Sequence, residues 1–233
     1  MSLVEEVAER VTQVRARIAH AGGDPATVTL VAVTKGFGPE AVVAALRAGV
    51  VDVAESYAQE LVGKAAALSA VALDREPCWH FVGRLQTNKV ARLAPLVGVW
   101  QSVDRSELVH RLSRRVPSAR VLVQVDVTAT SGRGGCAAKE VAALVAGARQ
   151  GGLEVGGLMA VGPAGPPEGA RSSFRLLASL ADDLGLVERS MGMSGDLEVA
   201  VEEGSTMVRV GRALFGPRTA QPRAGHAVPA SRH

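Results

Sequence analysis

The sequence alternates regularly between short apolar runs and longer segments with helical periodicity. Eight runs have the length and the apolar, often β-branched, composition of buried strands. They are Val28–Val33, Val51–Ala54, Trp79–Val82, Gly98–Gln101, Arg120–Val127, Leu153–Ala160, Glu188–Met191 and Met207–Val210. Strict alternation of strand and helix predicts a parallel sheet covered by helices, because parallel neighbours need long crossover connections.

The segments between these runs predict the covering helices. They are Pro39–Ala48, Tyr57–Leu68, Thr87–Leu96, Arg105–Arg115, Ala138–Arg149, Gly169–Leu184 and Leu197–Glu203, and an opening helix is predicted over Leu3–Ala21. Eight units in 233 residues favour a single-domain α/β fold, a (β/α)8 TIM barrel with an extra N-terminal helix. A doubly wound open sheet is the alternative, but no GxGxxG follows the first strand. We expect the barrel over residues 1–218 and a disordered tail over 219–233.

Composition argues against several classes of protein. No apolar stretch reaches the length of a membrane span, and Glu5, Glu6 and Glu9 lie where a signal peptide would be basic, so we expect a cytoplasmic protein and no membrane contact. A net charge of +3 with 3% aromatic residues argues against nucleic-acid binding. Cys78 and Cys136 lack CxxC spacing, so the sequence predicts neither a disulfide framework nor a zinc site.

Lys35 is the leading candidate for a reactive group. It follows the first strand directly, and the carboxyl ends of barrel strands are where such folds place their chemistry. A lysine amine attacks carbonyl carbons when its surroundings lower its pKa. A solvated lysine at a strand-to-helix turn is the ordinary alternative. His80 has a simpler interpretation, because alternation along its strand predicts a structural position inside or against the barrel wall.

Glycines and hydroxyl groups cluster after the seventh and eighth strands, over Ser190–Asp196, Gly204–Thr206 and Arg209–Arg212. Backbone N–H groups beside small residues favour a phosphate, and this is the usual phosphate position in barrels, although capping also explains Ser194. A phosphate site and an amine on one rim indicate a phosphorylated carbonyl compound, and pyridoxal 5′-phosphate is the outstanding candidate. Ser194 and the amides of Gly211 and Arg212 would hold the phosphate, with Arg209 near the ring nitrogen.

Several segments together resemble the pyridoxal phosphate homeostasis proteins, single-domain relatives of the alanine racemase barrel, from about Val4 to Arg218. The segments are Val31–Lys35, Glu55–Glu60, Trp79–Lys89, Gly157–Met159, Met191–Asp196 and Gly204–Gly211. The resemblance implies the alanine racemase N-terminal fold, with the cofactor held as a Schiff base on Lys35 and Arg209 facing its pyridine nitrogen. It also implies cofactor contacts at Ser56 and Met193.

Three positions depart from the family pattern. Ser56 stands where relatives commonly have Asn, Arg133 where they often have Lys, and Arg212 where Thr is usual. The guanidinium of Arg133 stays protonated and forms no comparable Schiff base. Arg212 loses a hydroxyl group but adds charge near the expected phosphate.

The family is described as binding and supplying pyridoxal phosphate without a defined turnover reaction, and we expect a monomeric carrier that supplies apoenzymes. A racemase acting on small amino acids is the alternative, but two-base racemisation needs an acid or base on each cofactor face. The sequence offers Lys35 for one face and contains one tyrosine, Tyr57. A third hypothesis is a barrel enzyme in which Lys35 attacks a phosphorylated sugar.

Overall fold

The predicted strands pair side by side into a closed barrel. The computed structural model describes residues 1–128 and 134–217. In those residues the strands are β1 (Thr29–Val33), β2 (Asp52–Glu55), β3 (Cys78–Phe81), β4 (Val97–Val103), β5 (Arg120–Asp126), β6 (Cys136–Ala137), β7 (Glu154–Met159), β8 (Glu188–Ser190) and β9 (Met207–Val210). The order is β4-β3-β2-β1-β9-β8-β7-β5, with β6 beside β5, and all pairs are parallel. Pairing of β4 with β5 closes the ring and confirms the barrel over the open sheet.

Helices cover the outside of the barrel, and all but the first and the last connect one strand to the next. They are α1 (Leu3–His20), α2 (Pro39–Arg47), α3 (Ala58–Leu68), α4 (Val90–Leu93), α5 (Ser106–Arg115), α6 (Val141–Gln150), α7 (Arg171–Asp183), α8 (Leu197–Glu202) and α9 (Arg212–Phe215). Three of them, α4, α6 and α7, are preceded by a turn of 3-10 helix. The two-residue β6 and the four-residue α9 were not predicted, because neither is long enough to show periodicity.

The opening helix is an addition to the barrel and is defined by its own sequence signals. Ser2 and Glu5 form a capping box at its start, which pairs two otherwise unbonded N–H groups. Its buried stripe, Val7, Val11, Val14 and Ile18, packs with apolar residues of α2, α8 and α9. This packing fixes α8 and α9, which follow the two loops expected to hold a phosphate.

The barrel encloses a small apolar interior of its own. Its buried members are Val31, Val33, Ala54, Val99, Leu122, Met159 and Met207. A parallel barrel of eight strands leaves only enough interior for side chains, so any ligand must sit at the rim.

Two predictions concern parts of the chain that the structure leaves undescribed. The expected tail, 219–233, and Arg133 both lie there, so the domain boundary at 218 stays a prediction. Among the residues that are described, none of the helices is sufficiently long and apolar to pass through a membrane.

Candidate functional site

Lys35 lies two residues beyond β1, at the carboxyl-end rim of the barrel. The strand end is fixed by Thr34, whose N–H donates to the Ala54 carbonyl at 3.0 Å and whose carbonyl accepts from Phe37 N at 3.0 Å. Gly36 turns the chain with a φ of 76°, a conformation that favours glycine. The half-buried Lys35 side chain therefore extends from a rigid strand end and lines a cavity on the rim.

A buried charge cluster supports this strand end from behind. Lys64 on α3 donates to the Thr34 carbonyl at 2.7 Å and pairs with the carboxylate of Glu55, which also accepts from Thr34 Oγ1 at 2.7 Å. Glu60 accepts from Gly36 N at 2.8 Å. Burial raises the pKa of Glu55, against the opposing effect of Lys64. The cluster clamps both sides of Lys35, at Thr34 and at Gly36.

The loop after β8 forms the facing wall. Met193 N donates to Asp196 Oδ1 at 2.6 Å, and Gly192 has a φ of 91° where an added Cβ would lie 2.5 Å from the Ala200 Cβ. Ser194 Oγ accepts from Ala213 N at 3.2 Å, which ties the loop to the first turn of α9. Arg17 of α1 donates to the Ser194 carbonyl at 3.1 Å. The loop conformation is thus set by glycine, a local carboxylate and an added helix.

Arg209 on β9 is buried at the base of the cavity, with 4% of its surface exposed. Its guanidinium donates to the Ser190 carbonyl, the Ser190 Oγ and the Ala160 carbonyl, each at 2.7 Å. Burial lowers the pKa of Arg209 to about 10, which leaves it charged at neutral pH. Three hydrogen bonds hold the cation in one place, so it presents a fixed positive charge to the cavity.

Six of the seven sequence-predicted site residues line the same cavity, which measures about 800 Å³. They are Lys35, Met193, Ser194, Arg209, Gly211 and Arg212. Gly211 passes close to β1, since an added Cβ would lie 3.1 Å from the Val33 carbonyl. The seventh, Ser56, lines a neighbouring cavity of about 920 Å³ together with Tyr57 and Lys89, and its assignment to the cofactor stays a prediction.

One wall of the cavity was not identified from the sequence. Residues 161–167, directly after β7, contribute Val161, Gly162 and a run of Pro, Ala and Gly. Gly162 is packed tightly, because an added Cβ would lie 3.0 Å from Phe174 and 3.2 Å from Asp196. The position of this segment after a barrel strand and its content of Gly and Pro were the signals available in the sequence.

A chain of hydrogen bonds runs from Arg209 down through the barrel interior. Ser190 Oγ accepts from Arg209 and donates to Gln101 Oε1 at 2.7 Å, and Gln101 Nε2 lies 2.6 Å from His80 Nδ1. His80 Nε2 lies 2.9 Å from Asp52 Oδ1 at the opposite mouth. His80 is 1% exposed inside the barrel, where strand alternation predicted it. This polar chain links the two ends of the molecule.

The closed barrel and its rim, with an amine opposite a glycine-rich wall, define a protein of the alanine racemase barrel class. Residues 4–219 match the family model described as alanine racemase, N-terminal domain. A pyridoxal phosphate homeostasis protein of Pseudomonas aeruginosa is 41% identical over 224 residues, covering 91% of this chain and 96% of that protein. The chain belongs to the pyridoxal phosphate homeostasis protein family.

Solved structures agree with this assignment. PipY of Synechococcus elongatus PCC7942 is 30% identical over 90% of this chain and 100% of its own, with a TM-score of 0.81 without PLP and 0.77 with PLP bound. Alanine racemase of Bacillus anthracis matches with a TM-score of 0.69 at 17% identity, over 92% of this chain and 56% of that enzyme. The second likeness concerns the fold alone, and it confirms the predicted alanine racemase-like barrel.

Proposed function

We propose that this protein binds pyridoxal 5′-phosphate in the 800 Å³ cavity and serves intracellular pyridoxal phosphate homeostasis without turning over a substrate. The observation that carries the proposal is the convergence of Lys35, Ser194 and Arg209 on one cavity. An amine, a phosphate-binding loop and a partner for the ring nitrogen are the three contacts that this cofactor requires. The family to which the chain belongs and the relative solved with PLP bound also support the proposal.

The residues present fit the cofactor in kind. Gly211 and Gly162 let the cavity walls pack closely against their supports, because an added Cβ would lie 3.1 Å from the Val33 carbonyl and 3.0 Å from Phe174 respectively. Ser194 and the backbone at Gly211 and Arg212 would hold the phosphate, and the guanidinium of Arg212 adds a positive charge beside it. Met193 would contact the ring as an apolar side chain on the same wall.

When bound, the cofactor would supply an aldehyde, for which Lys35 would be the amine partner, and a pyridine ring that can withdraw electrons. Arg209 keeps its own proton, since its pKa remains about 10. Arg209 would be the residue near the pyridine nitrogen, and a cation there would leave that nitrogen unprotonated and weaken the ring as an electron sink. Its three hydrogen bonds hold it in this role.

The cavity lining favours a carrier over a racemase. Among the described residues, the titratable side chains lining the cavity are those of Lys35, Asp196, Arg209 and Arg212. Oδ1 of Asp196 accepts a hydrogen bond from Met193 N, and Tyr57 lines the neighbouring cavity. Removal and return of a proton on opposite faces needs two positioned groups. Lys35 supplies one, and this wall supplies no comparable partner for it.

The proposal extends to the protein's surroundings. We infer a cytoplasmic monomer that passes pyridoxal phosphate to apoenzymes, with residues 1–218 as the binding barrel. Lys35 is half-buried in a cavity on the rim, which supports exchange of cofactor with other proteins.

Two assays on one sample test this function. The loaded protein is mixed with a pyridoxal phosphate-dependent apoenzyme while a trap consumes free cofactor, and in parallel with L-alanine in deuterated buffer. We expect the apoenzyme to regain activity and the alanine α-hydrogen to exchange no faster than with Lys35→Ala. Lys35-dependent exchange would favour the racemase instead, and failure to restore the apoenzyme would contradict the carrier.

A further inference from the structure

Three metal-binding side chains meet at the barrel mouth opposite the cofactor cavity. Asp52 opens β2 and Cys78 opens β3, and the two residues are paired in register. His80 lies two residues further along β3, so its side chain shares a face with that of Cys78. The donor atoms of these residues all lie within 4.8 Å of one another.

The donors match a cation of the zinc class in type and spacing. A thiolate, an imidazole and a carboxylate are the three side chains that Zn²⁺ accepts, at bond lengths of roughly 2.0–2.3 Å. Such bonds place tetrahedral ligands roughly 3.3–3.8 Å apart. His80 Nε2 lies 3.8 Å from Cys78 Sγ and 2.9 Å from Asp52 Oδ1. The first distance already suits two ligands of one ion, and the second needs to lengthen slightly.

The other nitrogen of the imidazole, Nδ1, contacts the side-chain amide of Gln101. Gln101 lies 2.6 Å from His80 Nδ1, and Ser190 in turn holds Gln101. A metal-binding histidine carries its proton on the nitrogen away from the metal and gives it to an acceptor. The Gln101 amide can supply that acceptor by turning its oxygen to Nδ1, and Ser190 Oγ can accept from the amide nitrogen.

We propose that Asp52, Cys78 and His80 form a binding site for one Zn²⁺-class divalent cation at the amino-end mouth of the barrel. Water completes the tetrahedron from the open side, since Asp52 and Cys78 are half-buried while His80 is buried. Binding releases the Cys78 thiol proton to solvent and moves the imidazole proton from Nε2 to Nδ1. The proposal does not rest on the proposed cofactor function.

The neighbouring charges allow a cation. The positive charge of Arg120, at the start of β5, is close enough to interact electrostatically with the Cys78 thiol. Arg120 is itself ion-paired with Glu188 at the start of β8. The second Glu188 carboxylate oxygen is buried and has no hydrogen-bond partner among the residues that the structure describes. This carboxylate offsets the guanidinium charge, so the mouth does not present an unbalanced positive charge to the metal.

Cobalt titration of the full chain, freed of metal by a chelator, tests the site. We expect one equivalent of Co²⁺ to give the intense visible bands of a tetrahedral site with a thiolate ligand, and Zn²⁺ to abolish them. Absence of a saturable one-to-one signal would overturn the proposal.

Variants assign the ligands. Cys78→Ser should remove the thiolate signal and weaken Zn²⁺ binding roughly tenfold to a hundredfold. Asp52→Asn should weaken binding by a similar factor. Cys136→Ser and the tail variant His226→Ala/His233→Ala should bind as the parent does. Each variant is compared by its urea unfolding midpoint, and Asp52→Asn decides the question if Cys78→Ser does not fold. Parent-like binding in both ligand variants, or loss confined to the controls, would contradict the assignment.

Discussion

At the scale of single residues, the strand end that carries Lys35 depends on a charge cluster that the sequence motif does not reveal. Lys64 is 5% exposed and Glu55 is fully buried, yet the pair braces the carbonyl of Thr34 just before Lys35. Within residues 1–128 and 134–217, one oxygen of Glu55 has no hydrogen-bond partner. Burial raises the pKa of Glu55, so the lysine is what makes the buried carboxylate tolerable.

Lys64→Met should destabilise the protein by about 3–5 kcal/mol, because it leaves one member of a buried ion pair. Without Lys64 the pKa of Glu55 in the folded state rises further, while in the unfolded state it keeps the ordinary value of 4.5. Above that pH the folded state holds a proton that the unfolded state has released, so stability falls as pH rises. The loss should therefore be smaller near pH 5 than near pH 8, as measured by urea unfolding.

The matched control is Lys64→Met/Glu55→Gln, which removes the titrating group. It should recover part of the lost stability and show no excess pH dependence over the parent. An equal loss at both pH values in the single variant would refute this account of Glu55.

Ser194→Ala should weaken pyridoxal phosphate binding roughly tenfold to a hundredfold, because a hydrogen bond to a charged group contributes about 1.5–3 kcal/mol. It also removes the acceptor of Ala213 N. Ser56→Ala is the companion variant, since Ser56 lines the neighbouring cavity and should matter less. Fluorescence titration with the cofactor measures both, and a larger effect of Ser56→Ala would reverse the two assignments.

At the scale of elements, the rim is built where loops after neighbouring strands touch through glycine. Gly83, after β3, packs against the loop after β2, since an added Cβ would lie 1.9 Å from the Ser56 carbonyl. Gly192, after β8, packs against Ala200 of α8, and Gly211, after β9, packs against Val33 at the end of β1. These approaches hold the loops in one arrangement, which the strands alone would not fix.

Gly83→Ala should destabilise the protein by about 1–3 kcal/mol, because backbone atoms must move to admit the methyl group. Gly63→Ala is the control within helix α3, where an added Cβ meets no atom of the described part of the chain within 4 Å. It should stabilise by roughly 0.5–1 kcal/mol. Urea unfolding compares them, and a neutral Gly83→Ala would show that this contact is not tight in solution.

At the scale of the whole molecule, the alternation of strand and helix was enough to predict the barrel. All eight barrel strands lie where the apolar runs were, and six predicted site residues share one cavity because carboxyl ends of parallel strands meet at one rim. The wall at 161–167, the Lys64–Glu55 pair and the Asp52–Cys78–His80 cluster were not predicted. The cluster depends on register between two strands and the ion pair on how a helix packs against a strand, whereas a single sequence shows spacing along the chain only. The wall had a signal in its position after a strand and its Gly/Pro content.

The central claim is that pyridoxal phosphate is attached at Lys35, and one labelling experiment tests it most directly. The chain contains four lysines, Lys35, Lys64, Lys89 and Lys139. The protein is mixed with the cofactor, reduced with borohydride and mapped by peptide mass, beside Lys35→Ala and the control Lys139→Ala. We predict one phosphopyridoxyl group, on Lys35, present in the control and absent from Lys35→Ala. Labelling of the other lysines with Lys35 unmodified would contradict the account.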